Sequence, residues 1–380
     1  MTVTPFRIDV PEAAVADLKA RLAHTRWPDE IPGSGWDYGV DLGYMKGLVA
    51  YWRDGFDWRA QERKLNAFPQ FVAEVDGADI HFIHVRGKGP APKPLLLTHG
   101  WPSGVAEFTK IIPILTDPGA YGGDPADAFD VVVPSMPGYG FSARPQRPGG
   151  TSRSVVHLWA KLMTGLGYPR FFAHGGDIGA GVTNGLGRLY DDRVIAIHAM
   201  ASPFPYPADE DDPGLSDAER AYLALVKKWK WDEDAYGHLQ RTKPQTLAVG
   251  LNDSPAGLAT WIVEKWRSWS DSGGNVESRF TKDELLTNVS IYWFTETIGS
   301  SVRMYYESAH ANIPKPATKI EVPARLFLTR EEVDLCPPEF AARSYANLSY
   351  GLAPTGGHFL AAEEPELLAG DIANYFRSYR

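Results

Sequence analysis

Residues 171–181, FFAHGGDIGAG, constrain the fold of this chain more than any other segment. They read as a short apolar strand, a tight turn and a glycine-rich helix start, with Asp177 at the apex of the turn. A strand that turns sharply into a helix needs small neighbours beside the apex residue, and Gly175 and Gly179 supply them. The spacing therefore predicts a strand–turn–helix elbow that presents a carboxylate.

The residue at the apex decides which chemistry such an elbow can perform. In the nucleophile elbow of an α/β-hydrolase this position usually holds serine, and here it holds Asp177. A carboxylate can open a strained ring or displace a leaving group from saturated carbon, and either reaction gives an alkyl ester of the enzyme. Acyl transfer of the serine type needs a hydroxyl at the apex, which this chain does not have.

Two other interpretations of the segment are open on the motif alone. Asp177 could simply cap the helix that follows, since aspartate is a favoured N-cap residue. Gly179-x-Gly181 could belong to a dinucleotide-binding fingerprint, which needs an acid roughly 20 residues further on, at the end of the next strand. The chain there reads VIAIHAM over residues 194–200 and contains no acid, so this context is missing.

Composition and charge exclude several classes of protein. The chain has 380 residues, of which 44% are hydrophobic and 22% charged, as in a soluble globular protein with one large domain or two. A net charge of −9 and the lack of a basic run argue against a nucleic-acid partner. With neither a His-Glu-x-x-His motif nor clustered cysteines, we expect no metal and no other cofactor.

Cysteine usage and the N-terminal residues indicate the compartment. The single cysteine, Cys336, rules out an internal disulfide framework. The start MTVTPFRIDV has no signal-peptide pattern, and no apolar run reaches the length of a membrane span. We therefore expect a cytoplasmic protein without a membrane partner. The sequence leaves a homo-oligomer open.

The order of the predicted elements indicates the α/β class. Short continuous apolar strands alternate with helices, which is typical of a mostly parallel sheet that helices cover on both faces. Strands are expected at 95–97, 131–133, 171–174, 322–328 and 347–352, and helices near 105–115, 155–166 and 366–379. We therefore expect an α/β-hydrolase core formed by residues 91–202 and 301–380.

Two regions depart from this alternation. Residues 1–90 read as helices and a hairpin around Asp76-Gly77, and we expect them to form an extension packed on the core. Residues 203–300 are rich in tryptophan and in helix starts, such as Ser254-Pro255 and the capping box of Thr281 and Glu284. A helical insertion between two halves of a sheet predicts a lid over the strand ends, and most of its tryptophans should be core.

Two further segments fall where a carboxylate nucleophile needs partners. The segment THGWP, residues 98–102, follows a buried strand, and in this fold its loop and the residue after the nucleophile supply the oxyanion-hole N–H groups. That assigns the amides of Trp101 and Ile178. The segment GGHF, residues 356–359, follows the last predicted strand, from which His358 can reach the elbow as general base. His99 keeps a structural role.

An acid is also needed to orient His358 and to stabilise its cation. The segment TREEVD, residues 329–334, follows a predicted strand and offers three carboxylates, Glu331, Glu332 and Asp334. The spacing of these three residues does not show which of them is the acid.

Together the motifs resemble those of the microsomal-type epoxide hydrolases, the group that includes the juvenile-hormone epoxide hydrolases. The resemblance covers essentially the whole chain except for the membrane anchor of that family, for which we expect no counterpart here. The matching segments are RLAHTRWPDE (21–30), HGWP (99–102), GGD (175–177), TKP (242–244), LNDSPAGLA (251–259), GGHF (356–359) and EEPELL (363–368).

The resemblance implies a catalytic triad in which Asp177 is the nucleophile and His358 the base. Counted forward from the Val322-Pro323 pair, the charge-relay acid of the family falls on Glu332, with Asp334 as the alternative. The chain departs from the family at Thr329-Arg330, where Phe-Pro is common, and this departure bears on the choice of acid.

The resemblance also implies that two lid tyrosines, Tyr236 and Tyr305, hydrogen-bond the oxygen of the epoxide. An alkoxide leaves poorly unless an acidic O–H donates to it as the C–O bond breaks. The implied reaction converts an apolar epoxide and water to a vicinal diol. At position 178 the family often has tryptophan, whereas this chain has Ile178, which alters the wall of the pocket.

Two alternatives share the same fold. A haloalkane dehalogenase would use the same Asp177 but needs indole or amide N–H donors for the halide. Ile178 removes the usual indole beside the nucleophile, and paired tyrosines suit an oxygen leaving group better. A non-catalytic binding protein is the other alternative, and the presence of every expected catalytic group argues against it.

Overall fold

The computed structural model describes residues 1–201, 208–312, 318–331 and 335–380. Its central feature is a 9-stranded sheet with the strand order β1-β2-β3-β5-β4-β6-β7-β8-β9. The strands are β1 (Val3–Phe6), β2 (Gln70–Val75), β3 (Ala78–Val85), β4 (Lys93–Thr98), β5 (Phe129–Pro134), β6 (Phe171–Gly175), β7 (Val194–Ala199), β8 (Ala324–Leu328) and β9 (Leu348–Leu352). Strands β1, β2, β3 and β5 pair antiparallel, and β5, β4, β6, β7, β8 and β9 run parallel. The predicted mostly parallel sheet is confirmed.

Helices and a hairpin precede the parallel strands. The helices are α1 (Glu12–Ala23), α2 (Leu42–Asp54) and α3 (Trp58–Leu65). Strands β2 and β3 form the predicted hairpin, and Asp76 and Gly77 at its turn have φ angles of 53° and 78°. Positive φ at both positions is what a two-residue turn of this twist requires.

Helices on both faces cover the parallel strands. The first are α4 (Ile111–Thr116), α5 (Ser152–Gly165) and α6 (Asp177–Leu189). The sequence predicts one helix near 105–115, and this prediction is wrong in detail, because a 3₁₀ turn at Val105–Phe108 precedes the separate helix α4. Pro113 explains the break: it has no N–H to donate to an earlier carbonyl, so it is tolerated only in the first turn of a helix.

Between β7 and β8 the described residues form six α-helices. They are α7 (Asp217–Asp232), α8 (Ala235–Thr242), α9 (Pro244–Asp253), α10 (Pro255–Ser268), α11 (Lys282–Thr295) and α12 (Ile298–His310). Ser254 caps α10, and Thr281 with Glu284 forms the predicted capping box of α11. Trp266 and Trp269 are buried as expected, whereas Trp231 is 88% exposed.

The chain ends with α13 (Pro338–Ala342), α14 (Leu360–Glu363) and α15 (Pro365–Arg377). Phe376 of α15 stacks on Phe172 of β6, with ring centroids 4.4 Å apart, so α15 covers the strand that leads to the elbow. Every helix in the described parts of the chain is too short or too polar to cross a lipid bilayer.

A buried polar network joins α15 to the same strand. Asp371 accepts hydrogen bonds from Arg325 at 2.7 Å and from His198 at 3.0 Å, and Nδ1 of His198 lies 3.0 Å from Nδ1 of His174 in β6. Burial alone would raise the pKa of Asp371, but the hydrogen bonds from His198 and Arg325 lower it to about 2. The carboxylate is therefore ionised and compensates the guanidinium.

We expect Asp371→Ala to lower the free energy of unfolding by about 3–5 kcal/mol, because it leaves a largely buried guanidinium without its partner. Urea denaturation followed by circular dichroism measures this change. Asp192→Ala is the matched control, since Asp192 is exposed and lies 3.7 Å from Arg193, and it should change the midpoint little. Equal effects of the two substitutions would contradict the structural role of the network.

Candidate active site

Asp177 lies at the junction of β6 and α6, at the predicted elbow. Its φ angle is 51°, in the left-handed region that residues other than glycine rarely adopt. A Cβ on Gly175 would lie 2.4 Å from the carbonyl oxygen of Gly179, and a Cβ on Gly179 would lie 2.0 Å from that of Thr98. Only glycine fits at either position. The N-cap residue of α6 is Gly176, so Asp177 does not cap the helix.

The loop after β4 places a backbone donor on the Asp177 carboxylate. The Trp101 amide donates a hydrogen bond to Oδ1 of Asp177 at 2.8 Å. Two lid side chains hold this loop, since Asn288 Nδ2 and Trp266 Nε1 donate to the carbonyl oxygen of Pro102 at 2.7 and 3.4 Å. Oδ1 of Asp177 therefore occupies the position that the carbonyl oxygen of an aspartyl ester would take.

His99 precedes the Trp101 amide by two residues, and Ile178 directly follows Asp177. The amide of Met136 donates to Nε2 of His99 at 3.1 Å, and Nδ1 of His99 lies 3.0 Å from the carbonyl oxygen of Gly100. Burial lowers the pKa of His99 to about 4, so the ring is neutral and its contacts are those of a structural histidine. The Ile178 side chain packs against the core at half burial. The role of its amide stays a prediction.

The structure brings His358 to Asp177 from the far end of the chain. Its Nε2 lies 3.7 Å from Oδ2 of Asp177. This distance is too long for a hydrogen bond, but it lets both groups contact the same water molecule. The ring of His358 packs edge-on against Trp269 of the lid, with centroids 5.1 Å apart.

Two carboxylates that the sequence analysis does not single out fix the His358 loop. Glu363 accepts hydrogen bonds from the amides of Gly357 at 3.1 Å, Phe359 at 3.0 Å and Asp271 at 2.9 Å. Burial raises the pKa of Glu363 to about 7, although these amides oppose the rise. Asp271, at the end of the α10 region, accepts from the amide of Gly356 at 3.0 Å. The EEPELL motif contains Glu363, whereas Asp271 has no signal in the sequence.

The acid of the predicted triad falls on Glu332, with Asp334 as the alternative, and both lie outside the described residues. The segment that contains them follows β8, which runs parallel to β7. The carboxyl end of β8 therefore lies at the same edge of the sheet as the elbow. The choice of acid stays a prediction.

Tyr236 of α8 and Tyr305 of α12 lie together on the ring of Trp101, whose amide contacts Asp177. Their ring centroids are 6.2 Å apart, and Trp101 contacts both, stacking on Tyr236 at 5.3 Å and meeting Tyr305 edge-on at 5.9 Å. Burial is the main cause that raises the pKa of each phenol, and the charge of Asp177 adds to it. Both side chains are therefore neutral O–H donors at ordinary pH.

A cation and two indoles border these phenols. Nζ of Lys265 lies 5.1 Å from the ring centroid of Tyr236 and forms an ion pair with Glu264 at 2.7 Å. The indole N–H groups of Trp101 and Trp269 are buried and have no hydrogen-bond partner among the described residues. The wall of the site is thus aromatic, and within the described residues two of its indole N–H groups have no acceptor.

Comparison with known proteins identifies the family. Residues 3–108 match the family described as epoxide hydrolase N terminus, and residues 93–259 match the alpha/beta hydrolase fold. A Stigmatella aurantiaca protein with a provisional epoxide hydrolase name is 43% identical over 379 residues, which cover 100% of this chain and 86% of that protein. The chain belongs to the epoxide hydrolase family.

Other family members agree over nearly the whole chain. Epoxide hydrolase 1 of Sus scrofa is 36% identical to this epoxide hydrolase, covering 98% of this chain and 88% of that protein. The crystal structure of the juvenile hormone epoxide hydrolase from Bombyx mori matches it with a TM-score of 0.88 at 29% identity, covering 100% and 95% of the two chains. The predicted family, fold and activity, which in this family proceeds through a covalent aspartyl ester, are confirmed.

Gly100→Ala tests whether epoxide turnover requires the Asp177 carboxylate to keep its observed position. The new Cβ would lie 2.3 Å from Oδ1 of Asp177, so the carboxylate must move. We expect epoxide turnover to fall by at least about 100-fold, as for a reacting group displaced by about 1 Å. Product formation and the thermal denaturation midpoint should be measured together.

Gly104→Ala, in the same loop, is the control for this substitution. A Cβ at Gly104 meets nothing within 4 Å, and its φ of −171° suits any residue. It should retain the wild-type rate. Normal turnover by Gly100→Ala would show that the position of the Asp177 carboxylate does not limit the reaction.

Proposed function

We propose that this epoxide hydrolase converts an apolar epoxide to a vicinal diol with Asp177 as nucleophile and His358 as general base. One observation carries the assignment. The Asp177 carboxylate lies 2.8 Å from the Trp101 amide and 3.7 Å from the His358 imidazole, and the buried Tyr236 and half-buried Tyr305 pack on the ring of Trp101. This arrangement offers a nucleophile, a base and proton donors within one small volume.

In the first step an oxygen of Asp177 bonds to one carbon of the epoxide, and the C–O bond of that carbon breaks. The released oxygen takes a proton from Tyr236 or Tyr305, so it leaves as a hydroxyl. The product is an ester between the enzyme and a hydroxyalkyl group, and the phenolate regains its proton from solvent. Because each phenol has a raised pKa, it donates only as negative charge develops on the substrate oxygen.

In the second step water cleaves the ester. His358 accepts one proton of the water, and the water oxygen bonds to the carboxyl carbon of Asp177. The amides of Trp101 and Ile178 stabilise the oxyanion, and its collapse expels the diol with the proton from the imidazolium. The Asp177 carboxyl group that remains releases the second proton of the water to solvent and is again a carboxylate. Glu332, or Asp334 in its place, supports the imidazolium charge.

We further propose the partners, the compartment and the domain division of this enzyme. The partners are the epoxide and water, with no nucleic acid and no membrane, and a homo-oligomer is left open. The net charge of −9 and the single cysteine support a cytoplasmic protein. We divide the chain into an extension (1–90), a core (91–202 and 301–380) and a lid (203–300).

We expect His358→Ala to form the ester but not to cleave it, because alkylation needs no base. Mass spectrometry after incubation with styrene oxide, a simple aryl epoxide, should show a mass increase of one epoxide, located on the peptide that contains Asp177. Asp177→Asn is the control and should show no such adduct. Wild-type turnover by His358→Ala would overturn the assignment of the base.

One turnover of the wild type in oxygen-18 water tests the nucleophile independently. The first diol should carry unlabelled oxygen from Asp177, and label in that diol would indicate direct attack by water.

Tyr236→Phe and Tyr305→Phe should each slow alkylation, because each removes one acid that protonates the leaving oxygen. We expect a fall of about 100-fold or more, the usual contribution of a general acid, with ester cleavage unchanged. Rapid-quench measurement of ester formation separates the two steps. Tyr306→Phe is the matched control, since Tyr306 is adjacent in sequence, 38% exposed and stacked on His310. An equal effect of all three substitutions would contradict the acid role.

The buried indole N–H groups of Trp101 and Trp269 could also serve a halide leaving group. Incubation with 1-chlorohexane and measurement of chloride addresses this second candidate. We expect no chloride release, because the two phenols and the family relationship favour an epoxide.

A further inference from the structure

A cavity of 390 Å³ lies where the N-terminal helices, the strand-bearing core and the lid meet. Its wall is formed by α3, by the 3₁₀ turn that follows the Trp101 loop, and by α10, α11 and α14. Most of the lining is apolar and includes Leu65, Phe68, Ala106, Trp266, Phe280 and Ala362. At about 30 Å³ for each molecule, the cavity has room for about a dozen waters.

Glu107 lies on that 3₁₀ turn and lines this cavity at half burial. The hydroxyl of Ser103 and the charges of His358, Asp177 and Glu363 act on its carboxylate. Burial raises the pKa of Glu107 to about 7, the Ser103 hydroxyl and His358 lower it, and Asp177 raises it. The steps described above give this carboxylate no role.

The other charged groups in the cavity lining are engaged elsewhere. Nζ of Lys110 lies 2.5 Å from Glu284 and donates to the carbonyl oxygen of Ala362 at 3.0 Å. Nζ of Lys64 donates to Gln61 at 3.1 Å. Glu107 therefore differs from its neighbours, since the charges that act on it include those of His358 and Asp177.

We propose that Glu107 is a positioning residue for the water that cleaves the ester, and that this water reaches His358 through the cavity. The inference rests on the proposed two-step function, because it assigns a group to the second step. One O–H of the water donates to the Glu107 carboxylate, and the other proton passes to Nε2 of His358. The water oxygen then bonds to the carboxyl carbon of Asp177, and Glu107 keeps its protonation state.

The order of the two steps suits this role. Alkylation removes the negative charge of Asp177, which is one cause of the raised pKa of Glu107. The carboxylate thus becomes easier to ionise when the ester has formed, which is when an acceptor for water is needed.

Glu107→Gln and Glu107→Ala test the proposal with styrene oxide as the probe. We expect ester cleavage to slow by about 10-fold in Glu107→Gln and by about 100-fold in Glu107→Ala, as for a misplaced reactant. Rapid quench of a single turnover, followed by mass spectrometry, measures this rate. The rate of ester formation should stay within about twofold of the wild type. In the steady state kcat and KM should then fall together while kcat/KM is retained.

A purely structural role for Glu107 gives a different result. Loss of its packing would disturb the Trp101 loop and lower kcat/KM through slower ester formation. That result, or unchanged ester cleavage in both variants, overturns the proposal. The two-step function is judged separately, by whether His358→Ala accumulates the ester, so a failure of Glu107 leaves that assignment standing.

Two more variants test whether water passes through the cavity. Ala106→Leu fills it beside Glu107 and should slow ester cleavage without changing ester formation. Thr287→Val is the matched control, because Thr287 lines the same cavity but donates its hydroxyl to Asp283 within its own helix, and it should behave as the wild type. If ester cleavage is unchanged in Ala106→Leu, the passage of water through this cavity is excluded.

Discussion

The close approach of two turns at the carboxyl ends of β4 and β6 is the constraint on which the rest of this structure depends. Gly179 meets the carbonyl of Thr98, and Gly100 meets the carboxylate of Asp177, so that a Cβ at either glycine would overlap these atoms. The contact lets the Trp101 amide reach the nucleophile at 2.8 Å. Parallel strands make this possible, because their carboxyl ends meet at one edge of the sheet.

The lid does more than cover the site, because it also holds the loops of the core. Asn288 and Trp266 fix the loop that contains Trp101, and the carbonyl of Trp269 accepts the amide of His358 at 2.8 Å. Asp271 adds a further bond to the same base loop. The positions of donor and base therefore depend on lid packing, and movement of the lid would alter the catalytic geometry as well as access to it.

Local patterns made much of this architecture predictable. The glycines around Asp177, the turn at Asp76-Gly77 and the caps of α10 and α11 depend on backbone geometry within a few residues, which the sequence records directly. An error arose where a local pattern competed with another constraint. Pro113 divides the helix expected near 105–115, because it has no N–H for a helical hydrogen bond.

By itself the sequence determined the fold class, the carboxylate at the elbow and the histidine proposed as its base, because these follow from short motifs in a fixed order. Only the tertiary structure decided which groups surround them. Glu363 and Asp271 bind the same loop although they are distant in sequence, and Glu107 lines a cavity together with residues of α3, α10 and α11. A buried carboxylate takes its function from the charges and donors around it, and those neighbours are brought together only when the chain has folded.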